Sequence, residues 1–333
     1  TLSGGDEDGS GKGGGIYFNG NGILEVRDSL ITQNLAGYGG GIYAQGLGSD
    51  AELVIGANVI VSNNTARYSG GGIVADQIEM SMLEPGSILF YNEALGIGGN
   101  GGFGGGLYIF GGTRSSYAYI GSGSGTLGAI YGNSAVYGGG VSVGGSSENF
   151  SEFESAQLQM FTSDPAYQAK ISNNFASVAG GGIHLQSFAS EFDGLVYASA
   201  DLWNAVLEFN AAPEGAAVFV RGSDAPLVSF DSGASFGLNA APFPADAVQC
   251  VEGKPCGGLI GNVAENINGQ PSPGSVIYAT NKAEVGIGRS ESSAPVPAGG
   301  VLIQANEGVH LVNAADDDEC QLYLHNALIS DNQ

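Results

Sequence analysis

Three stretches of this chain mix aromatic rings with carboxylates, a combination that suits a groove for sugar or peptide. Residues 110–127, 143–169 and 187–204 carry Tyr117, Tyr119, Phe150, Phe153, Phe161, Tyr167, Phe188, Phe192 and Trp203. Among them stand Glu148, Glu152, Glu154, Asp164, Glu191, Asp193 and Asp201. Aromatic faces stack on sugars, and carboxylates accept from hydroxyls or hold Ca2+. The competing reading is that the rings form a small satellite core beneath long ordered loops. Asp316, Asp317, Asp318 and Glu319 form a run dense enough to recruit Ca2+, the only cofactor the sequence suggests. That run lacks the glycine-punctuated spacing of a calcium loop and reads equally as a solvated turn.

Signals for covalent catalysis are weak. No G-x-S-x-G, H-E-x-x-H or phosphate-loop element occurs. Glycoside hydrolysis needs two carboxylates roughly 5–9.5 Å apart. With 33 Asp plus Glu such a pair arises by chance, so the acids identify no catalytic residue. A polysaccharide lyase would need cations at one place, yet the nine Lys and Arg are scattered. An enzyme on this scaffold stays an alternative to a binding protein. Cys250 and Cys256 bracket a short loop and could form a local disulfide, leaving Cys320 over.

Whatever these residues do, a repeating unit must position them. Asn34, Asn64, Asn92, Asn133, Asn174, Asn210, Asn262, Asn306 and Asn332 each follow an aliphatic residue by three positions, from Ile31 to Ile329. The first seven continue as N-x-A, and Asn306 departs from this as Asn306-Glu307-Gly308. Glycine clusters such as Gly39-Gly40-Gly41 and Gly138-Gly139-Gly140 recur, each followed by an aliphatic. Such self-similarity defines the fold before any local element does. After each cluster the first position is Ile16, Ile42, Ile73, Leu107, Val141, Ile183, Val218, Ile277 or Val309, and the third is also apolar throughout. Strand side chains alternate faces, so these two point inward and the residue between them points outward. That middle residue is Tyr17, Tyr43, Val74, Tyr108, Ser142, His184, Phe219, Tyr278 or His310, spaced about 4.8 Å per coil. The column is a second candidate binding stripe, for glycan or protein, or a self-stabilising aromatic stack.

The spacing predicts three short strands per coil and a single all-β domain, a right-handed parallel β-helix of about eight to nine coils. It would span 13–333 behind a polar acidic leader at 1–12, with long loops inserted after the first strand of several coils, including about 222–256. Each asparagine amide can donate and accept along the axis, forming a ladder, and asparagine tolerates the left-handed turn expected there.

The glycine–aliphatic element (Gly39–Tyr43, Gly104–Tyr108) paired with aliphatic-x-x-Asn (Leu30–Asn34) resembles the repeats of polymorphic outer-membrane proteins of chlamydiae and related autotransporter passenger domains. Glycine stands at most positions where those repeats have alanine. The resemblance implies a surface-displayed adhesive passenger and transfers no catalytic residue.

A net charge of −24 argues against nucleic acid and against docking on anionic membranes, since both need a basic face. No apolar run approaches the ~18–20 residues that would insert in a bilayer. The expected setting is extracellular or cell-surface, with glycan or protein as partner. A last coil cut at Gln333 also leaves end-to-end self-association, as in a matrix or fibre subunit, as a further expectation.

Overall fold

A computed structural model describes residues 11–99, 101–122, 129–145, 153–162, 169–189, 195–222, 234–239, 258–264, 275–280, 283–287, 301–304, 306, 309–314, 321–324 and 327–330. The chain is a right-handed parallel β-helix. Its strands stack coil on coil into four long sheets of nine, ten, nine and seven strands, and each strand pairs in parallel with the equivalent strand of the next coil. One short antiparallel strand, Phe188–Ala189, pairs beside the second sheet.

Four strands per coil replace the expected three. In the second full coil these are Ile42–Gly46, Glu52–Ile55, Ile60–Ser62 and Thr65–Ser69. The extra strand is the N-x-A element itself. Ala36, Ala66, Ala94, Ala135, Ala176, Ala212 and Ala264 are all buried within it. The coil nevertheless fits within 28 residues, because each strand is three to five residues long.

The interior is aliphatic and continuous. Ile42, Ile73, Leu107, Val141, Ile183, Val218 and Ile277 stack in register along the first sheet, and all are buried. Leu53, Met80, Ala118, Leu158, Ala200 and Phe236 belong to the same core from the second sheet. Burying such side chains contributes on the order of 1.5–3 kcal/mol each, and no single coil could do it alone.

Two devices turn the corners. Ahead of the first sheet, the first glycine of each cluster lies in the left-handed region: Gly39, Gly70, Gly104, Gly138 and Gly180 have φ between 62° and 69°. The third glycine brings the two sequence motifs together. A Cβ on Gly41 would lie 3.0 Å from the Asn64 Nδ2, and one on Gly106 the same distance from Asn133 Nδ2. The second device is the ladder. Nδ2 of Asn64 donates to Asn92 Oδ1 (3.0 Å) in the next coil and to the Ile31 carbonyl (3.0 Å) of the previous one. The Asn64 backbone N–H donates to the same Asn92 oxygen. The pattern repeats from Asn34 through Asn306, with every one of these asparagines buried. The left-handed backbone falls one residue earlier than expected, on Gln33, Asn63, Tyr91, Gly132, Asn173, Phe209 and Gly261. The ladder asparagine itself is thereby free to aim its amide along the axis. Asn332 lies outside the described residues.

Candidate functional site

The first and second sheets each present an outer face; the aromatic column expected from the sequence lies on the first, and the stretches expected as stacked loops contribute to the second. On the first sheet, Tyr17, Tyr43, Val74, Tyr108, Ser142, His184, Phe219 and Tyr278 form one unbroken register. His310 does not join them: Val312 is the partner of Tyr278, so the last described coil is shifted by two residues from the sequence alignment. Nor is the column an open stripe. Tyr17 is half exposed, but Tyr43, Val74, Tyr108, Ser142, His184 and Phe219 are all buried.

A roof explains the burial. Tyr137 ends a fourth-sheet strand and Phe103 bridges to it from the coil before; both directly precede a glycine turn that lays them over the outer face. Phe103 stacks on Tyr108 (5.6 Å between ring centroids) and on Tyr137 (5.2 Å), and Tyr137 reaches His184 (5.2 Å). Lys12 Nζ sits 4.4 Å above the Tyr43 ring. From His184 under the roof, Phe219 and Tyr278 continue as parallel stacked rings 5.2 and 5.3 Å apart. Sequence reasoning missed the roof, although Tyr38, Phe103 and Tyr137 directly precede glycine clusters and could have signalled it.

Burial sets the chemistry under this roof. Desolvation pushes the His184 imidazole down to about 3, with Arg221 adding to the effect, so it is neutral and hydrogen-bonds Ser142 Oγ at 3.2 Å. Desolvation raises the Asp76 carboxyl, against the opposing pull of hydrogen bonds from Tyr43 and Gln77 and the charge of Lys12. The Tyr43 hydroxyl donates to Asp76, and burial together with that carboxylate holds its own ionisation far above the ordinary range.

The outer face of the second sheet is different. The three stretches read as loops each carry one of its strands: Ser116–Ser122, Phe153–Thr162 and Leu195–Trp203. Their outward residues fall into rows across the coils. Tyr117 pairs with Gln157 and then Ser199, Tyr119 with Gln159 and then Asp201, and Gly121 with Phe161 and then Trp203. Tyr117, Tyr119, Gln157, Gln159, Asp201 and Trp203 are half-buried and Phe161 is 38% exposed, while the alternating Ala118, Ile120, Leu158, Met160, Ala200 and Leu202 fill the core. The result is a platform with the tyrosines at one side, Phe161 and Trp203 at the other, and two amides and a carboxylate between. Burial, with Glu79 and Tyr117 adding to it, raises the Tyr119 hydroxyl, which stays a neutral donor. Glu154 lies on the same strand as Gln157, opposite Val196.

At the corner between the two sheets, stacked turns form a cleft of about 710 Å3, lined by Asn21, Leu47, Gln77, Glu79, Arg114 and Tyr117 among others. Gln77 has a left-handed backbone (φ 53°), and its amide is held at both ends. Nε2 donates to Asp76 Oδ1 (3.1 Å) and Oε1 accepts from Thr113 Oγ1 (2.8 Å).

Phe150, Glu152, Asp193, Cys250, Cys256, Asp316, Asp317, Asp318 and Glu319 fall outside the described residues; among those described, no group of three or more His, Cys, Asp or Glu is placed to hold a metal ion. No helix among the described residues is long and apolar enough to cross a membrane. No protein-family model matches this chain, and neither a curated protein nor a solved structure does.

Proposed function

We propose that this protein is a secreted or surface-displayed adhesin-like module that binds glycan on the outer face of its second sheet. The observation that carries the reading is the open platform of Tyr117, Tyr119, Phe161 and Trp203 around Gln157, Gln159 and Asp201. Aromatic faces cover the apolar side of a sugar ring, and flanking amides and a carboxylate satisfy its hydroxyls. Strands about 4.8 Å apart repeat on the scale of one sugar ring, so an extended oligosaccharide can run along the axis with one contact per coil. Rigid strands hold these groups without the ordering cost that mobile loops impose. The surface setting draws on the strongly acidic chain and on the likeness of its repeats to autotransporter passengers.

A glycan array with and without Ca2+ tests the reading. Binding without product release, lost on Trp203→Ala with the circular dichroism spectrum unchanged, is the expected outcome. Appearance of shortened oligosaccharides would transfer the site to the enzyme class, and binding indifferent to Trp203 and Tyr119 would remove the platform from consideration.

A further inference from the structure

We infer that the corner cleft receives the carboxylate-bearing end of a short glycan, with Arg114 as the residue that selects it. The ligand class rests on the platform reading above; the carboxylate does not. In a chain of net charge −24 a free cation is scarce. Arg27 is held by Glu25 and Glu84, Lys170 by Glu208, and Lys12 lies over Tyr43. Arg114 is exposed, lines the cleft, and pairs with no carboxylate among the described residues. A guanidinium in that position offers the planar fork that fits a carboxylate.

The rest of the cleft suits one terminal sugar. Its volume of about 710 Å3 lies within the range of small-ligand sites, roughly 300–1,000 Å3. Leu47 supplies an apolar wall, and Asn21 and Gln77 supply amides. The Gln77 amide is preset by the chain of hydrogen bonds from Thr113 through Gln77 to Asp76 and Tyr43. Tyr117 belongs to both places: it lines the cleft and begins the platform row that continues through Gln157. A glycan on the platform therefore has its end at Arg114. Glu79 lines the same cleft and neighbours Tyr117 across the sheet, so a second carboxylate on the ligand would meet repulsion. This geometry, with the acidic surface, favours a single terminal acid over a polyanion.

Calorimetric titration of the whole chain with two oligosaccharides tests this, one ending in a uronic acid and the other in the corresponding neutral sugar. Wild type should prefer the acid-ended chain by roughly tenfold, the scale of one charge-assisted pair. Arg114→Gln should abolish the preference without weakening the neutral ligand, Arg114→Lys should keep part of it, and Glu79→Gln should strengthen acid-end binding. Equal binding of both sugars by wild type, or an unchanged preference in Arg114→Gln, overturns the inference and leaves the platform standing. Binding of neither sugar overturns both.

Discussion

The outer faces of the first and second sheets start from the same pattern and end differently. Both alternate an apolar inward residue with a larger outward one, and both place tyrosines outward. Over the first sheet, Phe103 and Tyr137 close on Tyr108 and His184, and the outward side chains become a second core. Over the second sheet, Tyr119 and Trp203 remain half-buried and Phe161 is exposed. The difference lies in what precedes and follows each strand. Aromatics that directly precede a glycine turn, Phe103 and the strand-ending Tyr137, fold over the first sheet. The second sheet is built here from lengthened strands, Ser116–Ser122, Phe153–Thr162 and Leu195–Trp203. Alternation therefore states which side of the wall a residue takes, and only the neighbouring turn states whether that side is wet.

The largest contrast should come from truncating one tyrosine on each face. Tyr108→Ala removes a buried ring packed on Phe103 and Phe110 and should cost about 3–5 kcal/mol, the range for large-to-small changes in cores. Tyr119→Ala removes a half-buried ring on the open platform and should cost less than about 1 kcal/mol. Urea midpoints at constant slope measure both. Comparable losses would mean that the second face is covered as well, and the binding platform would go with it.

A smaller, pH-dependent contrast follows from the groups under the roof. His184 is neutral in the fold down to about pH 3, whereas in the unfolded chain it takes up a proton below its ordinary value of 6.5. The unfolded state then binds more protons, so His184 lowers stability as pH falls from 6.5 towards 3, by up to about 1.4 kcal/mol per unit. Asp76 acts in the opposite sense. Its folded value is raised, so stability falls as pH climbs from its ordinary 3.8 to that raised value, where the unfolded chain has already released its proton. Wild type minus His184→Phe should isolate the first slope, and wild type minus Asp76→Asn the second. Two difference curves of the same sign would show that one of these groups is hydrated and the roof incomplete. Tyr119→Phe on the open face should leave the pH profile between 4 and 8 unchanged.

The solenoid was legible because its interior obeys a strict rule. Every coil must place an aliphatic at the position of Ile42 and an asparagine at that of Asn64, and no loop length disturbs either. The fourth strand was hidden by its uneven length: it runs from two residues in Glu93–Ala94 to five in Thr65–Ser69, so no alternation repeats, and only the recurring N-x-A alanine betrays it. The platform residues Tyr117, Tyr119, Asp201 and Trp203 were visible as a composition, but their order was not. Register across coils separated by 40 and 42 positions depends on strand pairing, which the irregular lengths of the intervening segments conceal. His310 shows the converse. A convincing alignment beside Asn306 placed it in the column, and a two-residue shift in the last turn took it out.

The corner that follows the third sheet supplies the smallest and most discriminating test, because it holds aromatics that look available and are already engaged. Tyr91 is 57% exposed and Phe209 54%, more than any ring of the platform, yet both sit at the left-handed position before a ladder asparagine (φ 53° and 54°). Each lies over a glycine at the same position of the next coil: a Cβ on Gly132 would fall 2.5 Å from the Tyr91 ring, and one on Gly261 equally close to that of Phe209. A bulky side chain in left-handed backbone costs about 1–2 kcal/mol. The ring's cover over the next turn offsets part of this, and Phe90 and Tyr131 pack on Tyr91 at 5.3 and 5.8 Å. Gly132→Ala should then cost about 1–2 kcal/mol, combining backbone strain with eviction of the ring. Adding Tyr91→Ala should return the eviction component, giving a coupling of roughly 0.5–1 kcal/mol in a double-mutant cycle. Additive losses would show that the ring does not serve the neighbouring coil. Tyr91 would then rank with Phe161 and Trp203 as an exposed aromatic open to a ligand, and the second sheet would no longer be distinguished from this corner.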